Sequence, residues 1–398
     1  MRRLALSVLL ALSQASSAWA ATEASSPAVK HLVQDAIAQH SSSVLVMRDG
    51  KVLAQYRDPS LKAGGINMMS ASKSAVALGI GLLVTDGKIK SLDQPVSDFY
   101  PEWKQGQKAA ITVRMLMNHT SGLQNVPYAP AEIYPAPDFI QLALAAELSD
   151  PPGTKFSYNN KAMNLLSGII EKASGKPMDK FLDERLFKPM GMTHSGWVEY
   201  DKAGHPQAMT GWTTDAADAA RIGQLVLDEG RWQGRQLISP SFMREMTAEG
   251  SPLSPTCGLL WWRVPSYVHL TIVPDLVKVL TSHGMDPGMV ALLAPLQGKS
   301  FGSNADFVKA FADATGAQMG PVRIALSAHK LNSSDLAKVD MGPIVAYKAD
   351  GYLGQYIVVV PATRTIAVRQ IEAPAKDVDP WPWGFDNFAD EVVKLGAK

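Results

Sequence analysis

MSASKSAVALGIGLLVTDGK, residues 69–88, decides how this chain is to be folded. Ala75, Val76, Leu78, Ile80, Leu82 and Leu83 predict one long apolar helix opening at Ser70. Asp86-Gly87 predicts its end, because glycine tolerates the left-handed conformation there. Ser70 and Lys73 stand three residues apart at the helix start, so both side chains share a face, about 5–6 Å apart at Cβ. A serine hydroxyl becomes a nucleophile when a neighbouring base takes its proton, and a lysine can serve only when neutral. Burial and the positive end of the helix dipole both disfavour the ammonium. The same helix start offers backbone N–H groups to a developing oxyanion. The chain carries a second copy of the spacing, Ser327-Ala328-His329-Lys330, in a polar stretch that reads as surface loop or helix cap.

Tyr158-Asn159-Asn160 follows the turn Pro152-Gly153 and precedes another helical pattern. A tyrosine near Lys73 could move a proton between Ser70 and a leaving group, and Asn160 could hydrogen-bond the lysine or a substrate amide. Taken alone, packing for Tyr158 and helix capping for Asn160 remain the plainer reading.

Working outward, Ala28 to Gln39 reads as a helix, and Ser43 to Gln55 as a hairpin turning at Asp49-Gly50. Val113–Asn118, Phe139–Ala146, Lys161–Ala173 and Ala216–Asp228 are the clearest helices of the middle section, with Gly175 a stop for the third. Ile344–Lys348, Tyr356–Val360 and Thr365–Gln370 read as strands, and Phe385 to Leu395 as a last helix. The expectation is an α+β fold, with one antiparallel sheet from both chain ends flanked by helices and a helical subdomain inserted at about 90–250.

Composition narrows the function. The chain has 398 residues, 46% hydrophobic and 19% charged, with a formal net charge of +1. That balance gives no electrostatic case for nucleic acid or an acidic membrane as partner. Its single cysteine, Cys257, rules out an intrachain disulfide or a cysteine-rich metal site and reads as a buried small residue. Eight histidines are scattered without a ligand spacing, so neither metal nor organic cofactor is expected. No dinucleotide fingerprint or phosphate loop occurs. Arg2-Arg3, the apolar run Leu4–Leu12 and Ala18-Trp19-Ala20 predict a signal peptide over residues 1–20, hence export to periplasm or medium. The run is too short to span a bilayer, so no transmembrane segment is expected.

The segments beginning at Met69, LMNHTSGL (116–123), FSYNNKAMNLLSGIIEKASGKPM (156–178), TTDAADAARIGQLVLDEGRWQGRQLIS (213–239) and GYLGQYIVVVPATRTIAV (351–368) resemble the serine β-lactamase-related family. Class C β-lactamases, penicillin-binding DD-peptidases, family VIII esterases and 6-aminohexanoate-dimer hydrolases are its branches. The resemblance covers about 45–263 and 344–370, and implies the β-lactamase/transpeptidase fold for residues 21–398. It implies Ser70 as acylated nucleophile, Lys73 as its base partner, Tyr158 as second proton-transfer residue and Asn160 as a polar substrate contact. His119 falls in a family loop without a catalytic role and reads as a structural histidine.

Two departures stand out. Where the family's lactamases and peptidases carry Lys-Thr-Gly, the matching place reads Tyr352-Leu353-Gly354, and the backbone N–H of Gln355 is the expected second oxyanion donor. Pro265 to Pro343 is an insert with a helix over Asn304–Ala314, expected to cover part of the pocket, to decorate the outside or to form an oligomer contact. The function expected is an exported serine hydrolase acting through an acyl-enzyme on small carboxyl esters or non-peptide amides. A β-lactamase or DD-peptidase with a compensated third motif, and a silent binding protein on the same fold, stay open.

Overall fold

The computed structural model describes residues 19–21, 26–126, 128–329, 331, 333–373 and 385–396. Residues 1–18 of the expected signal peptide lie outside these. The expected cleavage point, Ala20, falls within a short strand, β1 (Trp19–Ala21).

The principal sheet adds β2 (Ser43–Arg48), β3 (Lys51–Arg57), β4 (Trp262–Pro265), β5 (Ile344–Gly351), β6 (Gln355–Val360) and β7 (Thr365–Gln370). Its order is β1-β3-β2-β7-β6-β5-β4, antiparallel throughout. Asp49 and Gly50 take φ of 49° and 73° at the β2–β3 turn, the left-handed pair that an Asp-Gly hairpin calls for. Chain ends thus supply strands to one sheet, as the β-prone runs imply.

Both faces of this sheet are covered, which is why β6 reads as the unbroken apolar run Tyr-Ile-Val-Val-Val. Alternate residues face opposite ways. Ile357 and Val359 join the core shared with α2 (Ser72–Thr85), α3 (Asn160–Ser174) and α4 (Ala216–Leu227). Tyr356, Val358 and Val360 join a second core with α1 (Pro27–Ala38) and α5 (Phe388–Lys394). The architecture is α+β, with α2 buried from Ser72 to Leu83 between the sheet and the helical section.

Strands β4 and β5 pair directly, and the insert is the excursion between them. Its sequence predicts one helix, and the structure adds further helices and strands. Val268–Ile272, Ser300–Phe301 and Ala337–Met341 form a small antiparallel sheet beside five α-helices, among them Asn304–Thr315. Leu270, Leu280, Leu293, Phe311 and Val322 give it a core of its own.

Candidate active site

Ser70 sits in a 3₁₀ turn, Met69–Ala71, that leads into α2. Met69 holds φ 49°, a left-handed conformation costing a non-glycine residue about 1–2 kcal/mol. Asn67 holds it there: its Oδ1 accepts the Met69 N–H at 2.8 Å, while its Nδ2 donates to Glu199 at 2.7 Å. The first turn of α2 is pinned on either side. Ser72 Oγ accepts the Trp212 N–H at 3.1 Å, and Ser74 Oγ donates to the Leu260 carbonyl at 2.6 Å.

Lys73 is buried, and its Nζ lies 3.0 Å from Ser70 Oγ. The amine also donates to the Met209 carbonyl at 2.9 Å. Burial lowers its pKa to about 7, so near neutral pH much of it is unprotonated and able to take a proton.

Tyr158 shares a side-chain hydrogen bond with Ser70, and burial raises its pKa well above the usual phenol value. It is therefore a protonated phenol, not a standing phenolate. Its ring lies 4.6 Å from that of His119 and 6.3 Å from that of Trp262, the latter stacked. Asn125 Nδ2 donates to the Tyr158 carbonyl at 3.0 Å. The three residues thus converge on one small recess, enclosing about 10 Å³ and walled also by Ser74, Cys257, Leu260 and Asp350.

His119 lines this recess, yet burial and then the Lys73 charge lower its pKa to about 3. Its Nδ1 accepts the Asn159 N–H at 3.3 Å. A neutral imidazole so weakly basic holds backbone and does not serve as the base. Cys257 is likewise no nucleophile: burial pushes its thiol up to about 12.

Asn160 is not among the residues walling the recess, although its Oδ1 is buried and has no hydrogen-bond partner among the described residues. Asn159 is the residue that caps α3, accepting from Ala162 N at 2.9 Å, and Asn160 is already the first residue of the helix. Tyr352, Gly354 and Gln355 are also displaced from their expected place. Tyr352 is more than half exposed on the β5–β6 turn. Gln355 is fully buried and spends its side chain on Ile371, donating to its carbonyl and accepting from its N–H.

The strand residue that meets Ser70 is Asp350. The Gly354 N–H donates to the Gly351 carbonyl at 3.0 Å, so Gly351 turns its backbone groups toward β6. Antiparallel alternation turns those of Asp350 the other way, beyond the last β4 partner, Trp262 opposite Lys348. Its N–H, not that of Gln355, is thus the strand's candidate oxyanion donor. The side chains of Lys348 and Asp350 pair at 2.7 Å, and the Lys348 amine lies 5.2 Å from the ring centre of Tyr356, a residue of the terminal-helix core. Among the residues walling the recess, Lys73 is the one with a cationic side chain.

Among the described residues, none of the insert walls the recess, and Ser327 lies within an insert helix, Met319–Ala328. Asn67, Glu199 and Met209 are the contributors that spacing does not reveal. Asn67 precedes the Ser-x-x-Lys closely enough to raise suspicion; a backbone carbonyl such as that of Met209 leaves no residue-type signal.

A family model described as Beta-lactamase matches residues 29–375. A protein of Bacillus subtilis (strain 168) named penicillin-binding protein PbpX is 33% identical over 243 residues, 56% of this chain and 60% of that one. Esterase EstB of Burkholderia gladioli is 26% identical over 181 residues, 41% and 46% of the two chains. The chain therefore spans less than two thirds of the length of these curated relatives. Among solved structures, a protein from Bacillus anthracis named for 6-aminohexanoate-dimer hydrolase superposes with a TM-score of 0.61 at 18% identity, covering 92% of this chain and 81% of its own. A class C beta-lactamase gives 0.59 at 18%, covering 93% and 96%. At that identity these two likenesses speak for the fold.

Proposed function

This chain belongs to the beta-lactamase family of serine hydrolases, and from that premise we propose that it hydrolyses small carboxyl esters or non-peptide amides through an acyl-enzyme on Ser70. The contact that carries the proposal is Lys73 Nζ against Ser70 Oγ at 3.0 Å, with the amine buried and its pKa near 7. Lys73 takes the hydroxyl proton as Oγ bonds to the substrate carbonyl carbon. The carbonyl oxygen gains the negative charge beside the N–H groups of Ser70 and Asp350. Collapse breaks the bond to the leaving alcohol or amine, which receives its proton by way of Tyr158. Water then repeats the attack and frees the acid.

The substrate class rests on charge. A β-lactam or peptide substrate brings a carboxylate to this strand, whereas β5 adds Asp350 to the recess wall and its lysine, Lys348, is already paired with that carboxylate. Neutral esters and amides carry no such charge. The basic, apolar and small-residue order of residues 1–20 supports export.

The test runs a p-nitrophenyl ester and a chromogenic cephalosporin side by side, with fluorophosphonate labelling. The expected result is ester turnover with labelling that vanishes in Ser70→Ala and persists in Ser327→Ala. Cephalosporin turnover exceeding that of the ester would establish the β-lactamase reading instead. No labelling and no turnover of either would point to a binding protein on a hydrolase fold.

A further inference from the structure

The turn that closes the β5–β6 hairpin is held by an arginine from a third strand. Arg369, on β7, is wholly buried. Its Nη1 donates to the carbonyls of Leu353 and Gly354, each at 2.9 Å. Nη2 donates to the Gln39 carbonyl just past α1, and Nε to Ser41 Oγ, each at 2.7 Å. The guanidinium carbon lies 5.8 Å from the ring centre of Phe385.

Only a planar fork of donors can serve so many acceptors at once; a lysine offers a single point charge. The turn needs the help. Leu353 and Gly354 are both left-handed, with φ of 70° and 81°, and a Cβ on Gly354 would stand 2.2 Å from Arg369 Nη1. Two residues before Leu353 comes Gly351, which passes so close to the nucleophile's turn that a Cβ there would stand 2.2 Å from the Met68 carbonyl. The residue before that is Asp350, which walls the recess. Guanidinium, turn, strand end and Ser70 are therefore in mechanical series. An apolar side chain would join β7 to α1 without burying a charge, so packing alone does not call for an arginine here.

We propose that Arg369 is a positioning residue, fixing the end of β5 so that the Asp350 N–H stands opposite Ser70 as the second oxyanion donor. The idea rests on the acyl-enzyme reading above.

Arg369→Lys tests it, with Val392→Ala as control. Val392 is buried in the same core on α5 and takes no part in the turn's hydrogen bonds. For each variant one measures kcat and KM on p-nitrophenyl acetate, thermal unfolding, and inhibition by phenylboronic acid, whose tetrahedral adduct puts an oxygen where the oxyanion forms. Arg369→Lys should lower kcat by about 10- to 100-fold with KM within about twofold, and weaken the boronate by a similar factor. Val392→Ala should lose thermal stability while kcat stays within about twofold. An Arg369→Lys enzyme with wild-type kcat overturns the proposal, as does a Val392→Ala enzyme that loses as much kcat for the same loss of stability. If Arg369→Lys does not fold, Ser41→Ala, which removes only the Nε partner, replaces it. A several-fold loss of both kcat and boronate affinity then supports the role, and wild-type values overturn it. Fluorophosphonate labelling of the wild type separates the two levels: its failure sinks the acyl-enzyme reading, whereas labelling alongside an unaffected Arg369→Lys sinks only the positioning role.

Discussion

Lys73 donates to the carbonyl of Met209 at 2.9 Å, a residue 136 positions further along the chain. That bond spends an N–H of the amine and leaves the nitrogen beside Ser70 Oγ at 3.0 Å. A lysine side chain has four rotatable bonds, and without such an anchor its end would wander over several ångströms.

The pH profile follows from this lysine. With its pKa near 7, kcat/KM on a p-nitrophenyl ester should rise between about pH 5 and 9, with a midpoint near 7. His119, lowered to about 3, does not titrate in that range, nor does Tyr158, raised above its ordinary value. A midpoint below 5.5 would assign the base to another group.

Stability should carry the same signature with a definite sign. Below pH 7 Lys73 is charged in both folded and unfolded chains, and its buried charge opposes folding in full. Between about 7 and 10.5 the unfolded chain still holds the proton that the folded one has shed, so stability climbs with pH. Above 10.5 the penalty is gone. Lys73→Met should therefore melt a few degrees above the wild type at pH 6, with the gap closing by pH 10. Thermal unfolding at both values decides it, and a gap independent of pH would sink the burial argument.

Tyr158→Phe keeps the ring between His119 and Trp262 and removes only the hydroxyl. The expected fall in kcat is about 10²- to 10⁴-fold with little change in melting temperature. Loss of stability without loss of rate would return Tyr158 to a packing role.

His119→Ala deprives the buried Asn159 N–H of its acceptor, at a cost of about 1–3 kcal/mol in a denaturant titration. The residual activity should keep its midpoint near pH 7. A shifted midpoint would mean that the imidazole takes part in the titration.

Gly351→Ala places a methyl group 2.2 Å from the Met68 carbonyl, so the strand and the turn holding Ser70 must separate. Rate should fall more than stability, as judged by kcat against melting temperature. Full activity would show that the β5 edge need not lie against Ser70.

The sequence carried the local elements well. Periodicity and stop signals located α2 and the helix at Asn160–Ser174, and Thr365–Gln370 matches its strand residue for residue. Ser70 and Lys73 are legible because a helix converts a spacing of three into shared facing. β4 and the insert's small sheet were not, since such short strands are made by their partners more than by their own residues.

By itself, then, the chain determined its family, its sheet-forming ends and the side chains that meet on a helix. The tertiary structure decided what backbone Ser70 would face. Asp350 replaces Gln355 at the recess because strand alternation and the left-handed turn at Leu353-Gly354 set which N–H groups leave the sheet edge. The Met209 carbonyl steadies Lys73 because the chain, 136 residues on, packs beside the first turn of α2. Backbone groups are the same at every residue, so only their placement in space distinguishes one from another.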